Sequence, residues 1–202
     1  MQKRSREPGG QWPAGPVPNA AKLREAALAH LARFAATEAG LLRVLHRRID
    51  RWARRAEAEG QPTDQVAAAM TAARADAAEV TRLLATAGAV DDAAFAASRT
   101  RRLNRAGRSR RAIQAHLAGK GVGGETAHAV LEDAAPDDLS AALAHLRRRR
   151  AGPFAATPPE AEARLKTLGA LARAGFTRDV AEQALDMSPE EAEDRLLESR
   201  RD

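Results

Sequence analysis

Residues 91–122 read DDAAFAASRTRRLNRAGRSRRAIQAHLAGKGV, and this stretch contains two short helical patterns separated by Gly107. Asp91 favours a helix start, Ser109 can cap a second helix, and the glycines from 119 onward end it. Seven arginines and no acidic residue lie between Arg99 and Arg111. Such a density on short helices predicts a surface that meets phosphates or an acidic face of a protein.

The composition of the whole chain favours an all-α fold. Aromatic residues make up 3% of the 202 residues and tyrosine is absent, whereas β-sheets draw on aromatic and β-branched side chains. The formal net charge of +6 favours an anionic partner. With no cysteine, no secretory signal and no apolar window long enough to span a membrane, we expect a cytoplasmic, monomeric protein without a membrane contact.

Apolar spacing divides the chain into a tail and three helical repeats. Residues 1–19 contain four prolines and are expected to form a disordered N-terminal tail. Apolar positions at helical spacing then predict repeat 1 over 20–88, which is extended and atypical, and its first helix carries Leu23, Ala27, Leu31 and Phe34. Repeat 2 is expected over 91–135, with Phe95 as its main core anchor. Repeat 3 with a C-terminal tail helix is expected over 137–202.

Two internal matches support the repeat interpretation. The hexapeptide AALAHL occurs at 26–31 and again at 141–146. Leu117, Gly121 and Val122, followed by Ala127 and Leu131, match a second set at a constant offset: Leu171, Gly175, Phe176, Ala181 and Leu185. Tandem three-helix units that each bury one face against a neighbour predict an elongated, curved array of three repeats, which binds partners along its surface.

No pattern in the chain indicates catalysis. The five histidines have no metal-ligand spacing, and no nucleophile stands in a catalytic constellation, so we expect no enzyme activity, no cofactor and no metal. The segment 119–124 is rich in glycine but lacks Gly-Lys-Ser/Thr after a strand, which favours a helix cap and turn.

The arginines are the remaining candidates for a binding site, and they concentrate in two places. Arg101, Arg102 and Arg105 are expected to project together from one side of a helix. Cations at the start of the next helix oppose its dipole, which suggests a reason for keeping them other than local stability. At 147–150 the charge suits a helix C-terminus, so a solvated cap and a partner contact stay equally open. The predicted partner-binding residues are Arg99, Arg101, Arg102, Arg105, Arg108, Arg110, Arg111, Lys120, Arg147, Arg148, Arg149 and Arg150.

The middle and the end of the chain together resemble a known family. The residues that carry the resemblance are Asp91, Asp92, Phe95, Gly107, Leu117 and Gly121, with Gly175 and Phe176 later in the chain. This pattern is similar to the central signature and third repeat of the bacterial RecX regulatory proteins. The long second helix and the missing tyrosines depart from the family's usual first repeat.

The resemblance implies a non-catalytic modulator of RecA. Family members bind the filament of RecA on single-stranded DNA and restrain recombination and coprotease activity, and with them the SOS response and DNA repair. The residues alone leave two alternatives open: a general DNA-binding helical protein that acts on bare DNA without RecA, and a helical scaffold for an unrelated acidic partner.

Overall fold

The computed structural model of the protein describes residues 14–134, 137–157 and 160–199. Within these ranges the regular structure is entirely helical, with no strand, which confirms the all-α expectation. A single 3₁₀ turn, Gly152–Phe154, follows the seventh helix. The α-helices are α1 (Ala20–Leu31), α2 (Glu38–Ala58), α3 (Thr63–Thr86), α4 (Asp92–Arg105), α5 (Arg110–Lys120), α6 (Gly124–Asp133), α7 (Asp138–Arg149), α8 (Ala161–Arg173), α9 (Arg178–Asp186) and α10 (Pro189–Glu198).

The chain divides into two compact units, 1–91 and 92–202. The first contains α1, α2 and α3, and its core is built from the apolar stripes that the sequence predicts. Side-chain caps start two of its helices: Asn19 accepts a hydrogen bond from the amide of Lys22, and Thr37 accepts one from the amide of Gly40. The fully buried large side chains of this unit are Leu23, Leu41, Leu45, Ile49 and Val66.

Two expectations for the first unit need correction. Helix α1 ends at Leu31, so Phe34 does not continue its buried stripe and is 54% exposed. The expected tail is ordered at its described end, because the indole Nε1 of Trp52 donates a hydrogen bond to the Gly15 carbonyl at 3.1 Å. The amide of Ala14 also donates to Glu59 at 2.6 Å. Residues 1–13 of the predicted tail lie outside the described residues.

The second unit contains the predicted second and third repeats together. Ala96, Ile113 and Leu117 form the centre of the α4–α6 core, with Val122, Ala127 and Leu131. The prediction that Phe95 is the main anchor of this core is wrong. Phe95 is only partly buried, and the guanidinium carbon of Arg99 lies 5.2 Å from the centroid of its ring. The buried positions of α4 are instead Ala96, the residue after Phe95, and Thr100, about one turn beyond Ala96.

The second internal match in the sequence holds in three dimensions. Leu117 and Leu171 are fully buried, and Gly121 and Gly175 follow them in left-handed conformations, with φ of 86° and 91°. Val122 and Phe176 are each 5% exposed, and both pairs that follow in the match, Ala127 with Ala181 and Leu131 with Leu185, are buried. Each set therefore builds the same local unit, a helix, a left-handed turn and a second helix.

The turn between α4 and α5 packs directly on α7 and α8. A Cβ at Gly107, whose φ is 71°, would lie 2.8 Å from the His145 amide nitrogen and 2.9 Å from the Ala141 carbonyl oxygen. Only glycine fits this position, because both the conformation and the space exclude a side chain. Beside it, the Ser109 hydroxyl donates to the Ala174 carbonyl at 2.8 Å, and Asn104 donates to the Asp137 carbonyl at 3.2 Å.

Candidate functional site

Most of the predicted binding residues lie on the surface of the second unit. Exposed side chains belong to Arg101, Arg102, Arg105, Arg108, Arg111, Lys120 and the four arginines 147–150, whereas Arg99 and Arg110 are half-buried. The two aspartates of the family signature stand at the start of α4, where their negative charge suits the helix dipole. The geometry divides the cations into groups with different surroundings.

One group surrounds His116 on α5. Burial lowers the pKa of this histidine, and the charges of Arg99, Lys120, Arg108 and Arg102 lower it further. The side chains that act on it come from α4, from the α4–α5 turn and from the end of α5. Its Nε2 atom is buried and has no hydrogen-bond partner in the described part of the chain. The charges of four cations therefore act on one half-buried imidazole.

A second histidine extends this group to α7. Burial lowers the pKa of His145, and the charges of Arg149, Arg148 and Arg108 act in the same direction. Its ring packs edge-on against Phe176 with the centroids 6.1 Å apart. Arg108 acts on both histidines, so the two groups share one member. We call this surface the histidine-centred patch and define it by Arg99, Arg102, Arg108, Lys120, Arg148 and Arg149.

Arg101 and Arg105 face a different environment. They line a cavity of about 350 Å³ between α4, α7 and α10, together with Asn104, Asp137 and Arg195. Arg102, which we expect to project together with Arg101 and Arg105, also lowers the pKa of His116 together with Arg99.

Asp137 holds the opposite charge in that cavity. Burial alone would raise its pKa, but hydrogen bonds from the Ser140 hydroxyl and amide, the charge of Arg195 and the Leu139 amide hold the pKa below its usual value. The Ser140 hydroxyl lies 2.5 Å and the Arg195 guanidinium 3.0 Å from its Oδ2 atom. Asp137 is therefore a charged helix cap that also ties α10 to the start of α7.

Both the side chain and the backbone amide of Arg110 bind acidic residues of the second unit. Its guanidinium forms an ion pair with Glu132, and its backbone amide donates to the Asp138 carboxylate at 2.6 Å. Burial raises the pKa of Asp138, and the hydrogen bond from Arg110 opposes that rise. These two acids offset the positive charge at the start of α5, so the cost of cations at that position is no longer an argument for a binding role.

The four arginines 147–150 end α7 with all their side chains exposed. Arg147 and Arg148 line a cavity of about 600 Å³ with Arg105. Arg150 takes the left-handed conformation, with φ of 51°, that glycines occupy at the ends of α5 and α8. The cluster caps a helix, and Arg148 and Arg149 also belong to the histidine-centred patch.

A third concentration of arginine lies on α2, which sequence reasoning missed. Its outer face carries six exposed arginines, while the opposite face is buried in the first unit. The pattern is visible in the sequence, because arginines recur four residues apart on the polar side of α2, opposite its apolar stripe. We define the α2 arginine face as Arg43, Arg47, Arg48, Arg51, Arg54 and Arg55.

Among the described residues, no cluster of three or more histidines, cysteines or acids could hold a metal ion. In the same ranges no helix combines the length and the apolar character that crossing a bilayer needs. The exposed guanidinium and ammonium groups of this surface can bind phosphates and carboxylates by charge-assisted hydrogen bonds.

The fold and this surface define a class, a tandem three-helix-repeat protein with a basic surface. The family described as the second three-helix domain of RecX matches residues 91–131. The regulatory protein RecX of Myxococcus xanthus is 35% identical over 170 residues, which cover 83% of this chain and 86% of that protein. The regulatory protein RecX of Agrobacterium fabrum is 37% identical over 111 residues, or 55% of this chain and 59% of that protein. The chain belongs to the RecX family of regulatory proteins.

Proposed function

We propose that this protein restrains RecA without catalysis, by binding the filament that RecA forms on single-stranded DNA. The observation that carries the proposal is the histidine-centred patch. Its six cations come from α4, the α4–α5 turn, α5 and α7, and their charges act on two half-buried histidines. Its arginines 102, 108, 148 and 149 form no ion pair with a carboxylate in the described ranges of the chain.

A patch of this kind suits a filament made of protein and nucleic acid. Guanidinium groups bind phosphate oxygens in pairs of parallel hydrogen bonds, and they bind carboxylates in the same way. Because the patch draws on α4, α5 and α7, it can meet charges on several neighbouring groups of a polymer at once. Electrostatic complementarity of this type also speeds association at low salt.

The rate of ATP hydrolysis by RecA on single-stranded DNA, with and without this protein, tests the proposal. We expect the full chain to lower the rate, and the variant Arg102→Glu with Arg108→Glu to need roughly tenfold more protein for the same effect, about 1.4 kcal/mol of binding free energy. The matched control reverses Lys166 and Arg178 to Glu, two exposed cations of α8 and α9. Full-length protein at severalfold excess with no effect on the rate would contradict the proposal.

The alternative is a general DNA-binding protein that acts without RecA. The α2 arginine face favours it, since that surface lies outside the predicted filament-binding residues. Fluorescence anisotropy on bare DNA and on preformed RecA filaments separates the two, because the alternative predicts equal affinity for both and our proposal predicts a preference for the filament.

A further inference from the structure

The outer face of α2 is a continuous cationic surface along one helix. Arg43, Arg47 and Arg51 follow one another at intervals of four residues, and Arg48, Arg54 and Arg55 flank that row. All six are exposed, whereas the opposite side of the helix is buried through Leu45, Ile49 and other apolar residues. The burial fixes how the helix is turned, so the arginines cannot rotate away from solvent.

Local helix stability does not account for these arginines. Like charges four residues apart destabilise a helix by about 0.2–0.5 kcal/mol per pair, and this face contains such pairs at 43/47, 47/51 and 51/55. Asp50 is the one acidic residue between Arg43 and Arg55, and it pairs at 2.9 Å with Arg74 of α3 instead. The arrangement therefore costs stability and leaves a positive surface facing outward.

A groove borders the α2 arginine face on the side of the N-terminal segment. It has a volume of about 510 Å³ and is lined by Arg48, Arg51, Arg55, Lys22 and the segment 14–19. Trp52 forms part of the lining and holds the segment in place through its hydrogen bond to the Gly15 carbonyl. Glu25 is the acid of the groove; it pairs with Lys22 at 2.8 Å, and Lys22 and then the charge of Arg48 lower its pKa, so one carboxylate lies beside the arginines here. The arginines thus line an ordered concave surface.

The length of the face matches a run of phosphates. A rise of 1.5 Å per residue places Arg43 and Arg55 about 18 Å apart along the helix axis. A nucleic-acid strand carries one phosphate per 3.4 Å in its duplex form, so about five phosphates span the same distance. Guanidinium groups are suited to phosphate oxygens, and a row of them neutralises a regular anionic backbone better than the scattered carboxylates of a protein surface.

From this row, the groove and the match in length, we propose that α2 binds the phosphate backbone of a nucleic-acid strand, as a site separate from the histidine-centred patch. The site needs no RecA, and it serves to hold the protein on bare nucleic acid. The inference does not depend on the proposed function, because it rests on the first unit alone and on different residues.

The test is a titration of a fluorescent single-stranded oligonucleotide with the full-length chain across a salt series, with a duplex of the same sequence as the second probe. The variant Arg47→Gln with Arg51→Gln removes two phosphate contacts and retains helix-forming side chains. The salt slope for the single strand should then fall by about 1.4, which corresponds to roughly 25-fold weaker binding at 0.1 M salt. For the duplex the slope should fall by about 1.8.

The control variant, Arg24→Gln with Arg82→Gln, loses the same net charge from exposed positions on α1 and α3. It should retain most of the affinity and the slope of the unaltered protein. Unchanged binding by the α2 variant, or an equal loss in the control, would overturn the inference, and circular dichroism verifies that both remain helical. RecA inhibition measured on the same proteins keeps the two proposals apart, since the α2 variant should still inhibit while the Arg102→Glu and Arg108→Glu variant should still bind bare strands.

Discussion

The hexapeptide AALAHL occupies two places in this protein and has a different environment in each. In α1 it spans residues 26–31, where Leu28 is 44% exposed. In α7 it spans 141–146, where the equivalent Leu143 is fully buried. Only the second alanine of the hexapeptide, Ala27 or Ala142, is fully buried in both copies. Identical side chains thus contribute to a core in one unit and largely meet solvent in the other.

The difference comes from what packs around each helix. α1 makes its main contacts with α2 and α3. α7 is contacted by α4, α9, α10 and the 3₁₀ turn, and the Gly107 turn closes on its backbone. The histidines differ in the same way: His30 stacks on the exposed Phe34, whereas His145 packs on the buried Phe176. Helical period sets which residues share a face, but the number of neighbouring elements sets how many faces are buried.

Truncation of the equivalent leucines, Leu28 and Leu143, should give the largest difference in the free energy of unfolding between the two copies. Leu143→Ala removes a fully buried side chain and leaves a cavity, so the free energy of unfolding of the second unit should fall by about 3–5 kcal/mol. Leu28→Ala should change the stability of the first unit by about 0.5 kcal/mol or less, because Leu28 is already partly in solvent. Urea unfolding followed by circular dichroism measures both, and similar losses in the two variants would refute the comparison.

The variant Gly107→Ala tests whether the close approach of the Gly107 turn to α7 contributes to the stability of the second unit. The left-handed conformation and the clash with the α7 backbone together should cost about 2–4 kcal/mol. Gly88 has the same φ of 71° but open space around its Cβ direction, so Gly88→Ala should cost only the conformational part, about 1 kcal/mol. Thermal unfolding of the two variants separates the cost of the left-handed conformation from the cost of the clash with α7. Equal shifts in the melting midpoint would mean that the contact with α7 contributes nothing.

The ends of the two helices allow a smaller test in the stabilising direction. Ala32, the residue that follows α1, is in the right-handed conformation, while Arg150, the residue that follows α7, has a φ of 51°. Arg150→Gly should therefore stabilise the protein by about 0.5–1 kcal/mol, whereas Ala32→Gly should destabilise it by a similar amount. Chemical denaturation provides both values, and a destabilised Arg150→Gly variant would contradict the assigned conformation.

The pH dependence should show the smallest of these effects, because both histidines of the patch keep some contact with solvent. Burial and the nearby arginines lower the pKa values of His116 and His145 in the folded protein below the ordinary value of about 6.5. The unfolded chain therefore binds more protons in that window, so the stability contribution is complete above pH 6.5 and is lost as the pH falls toward the lowered values.

The double variant His116→Asn with His145→Asn should flatten that dependence between pH 7.5 and 5.5 in denaturation measurements. An anionic partner that neutralises the surrounding arginines should raise both pKa values, so the unaltered protein should take up protons on binding. A double variant with the same slope of stability against pH would show that other groups titrate in this window.

Local patterns in the sequence predicted much of the fold. The apolar stripes of α2 and α3 and the paired turns at Gly121 and Gly175 can be identified from spacing alone, because each depends on contacts within a few residues. Phe95 was misjudged because helical spacing identifies a face without showing whether another element covers it. The influence of Arg102 on His116 could not be predicted, because it depends on how α4 packs against α5.

By itself the sequence determined that the chain forms short helices, where most of them begin and end, and that the molecule is basic. These properties follow from capping residues, glycines and the 3.6-residue period, all of which act within a turn or two of the chain. Only the tertiary structure decided which arginines are free, which are paired, and which copy of AALAHL is buried. Those outcomes depend on contacts between residues distant in the chain, such as Gly107 with α7 and Arg195 with Asp137, and no local pattern encodes them.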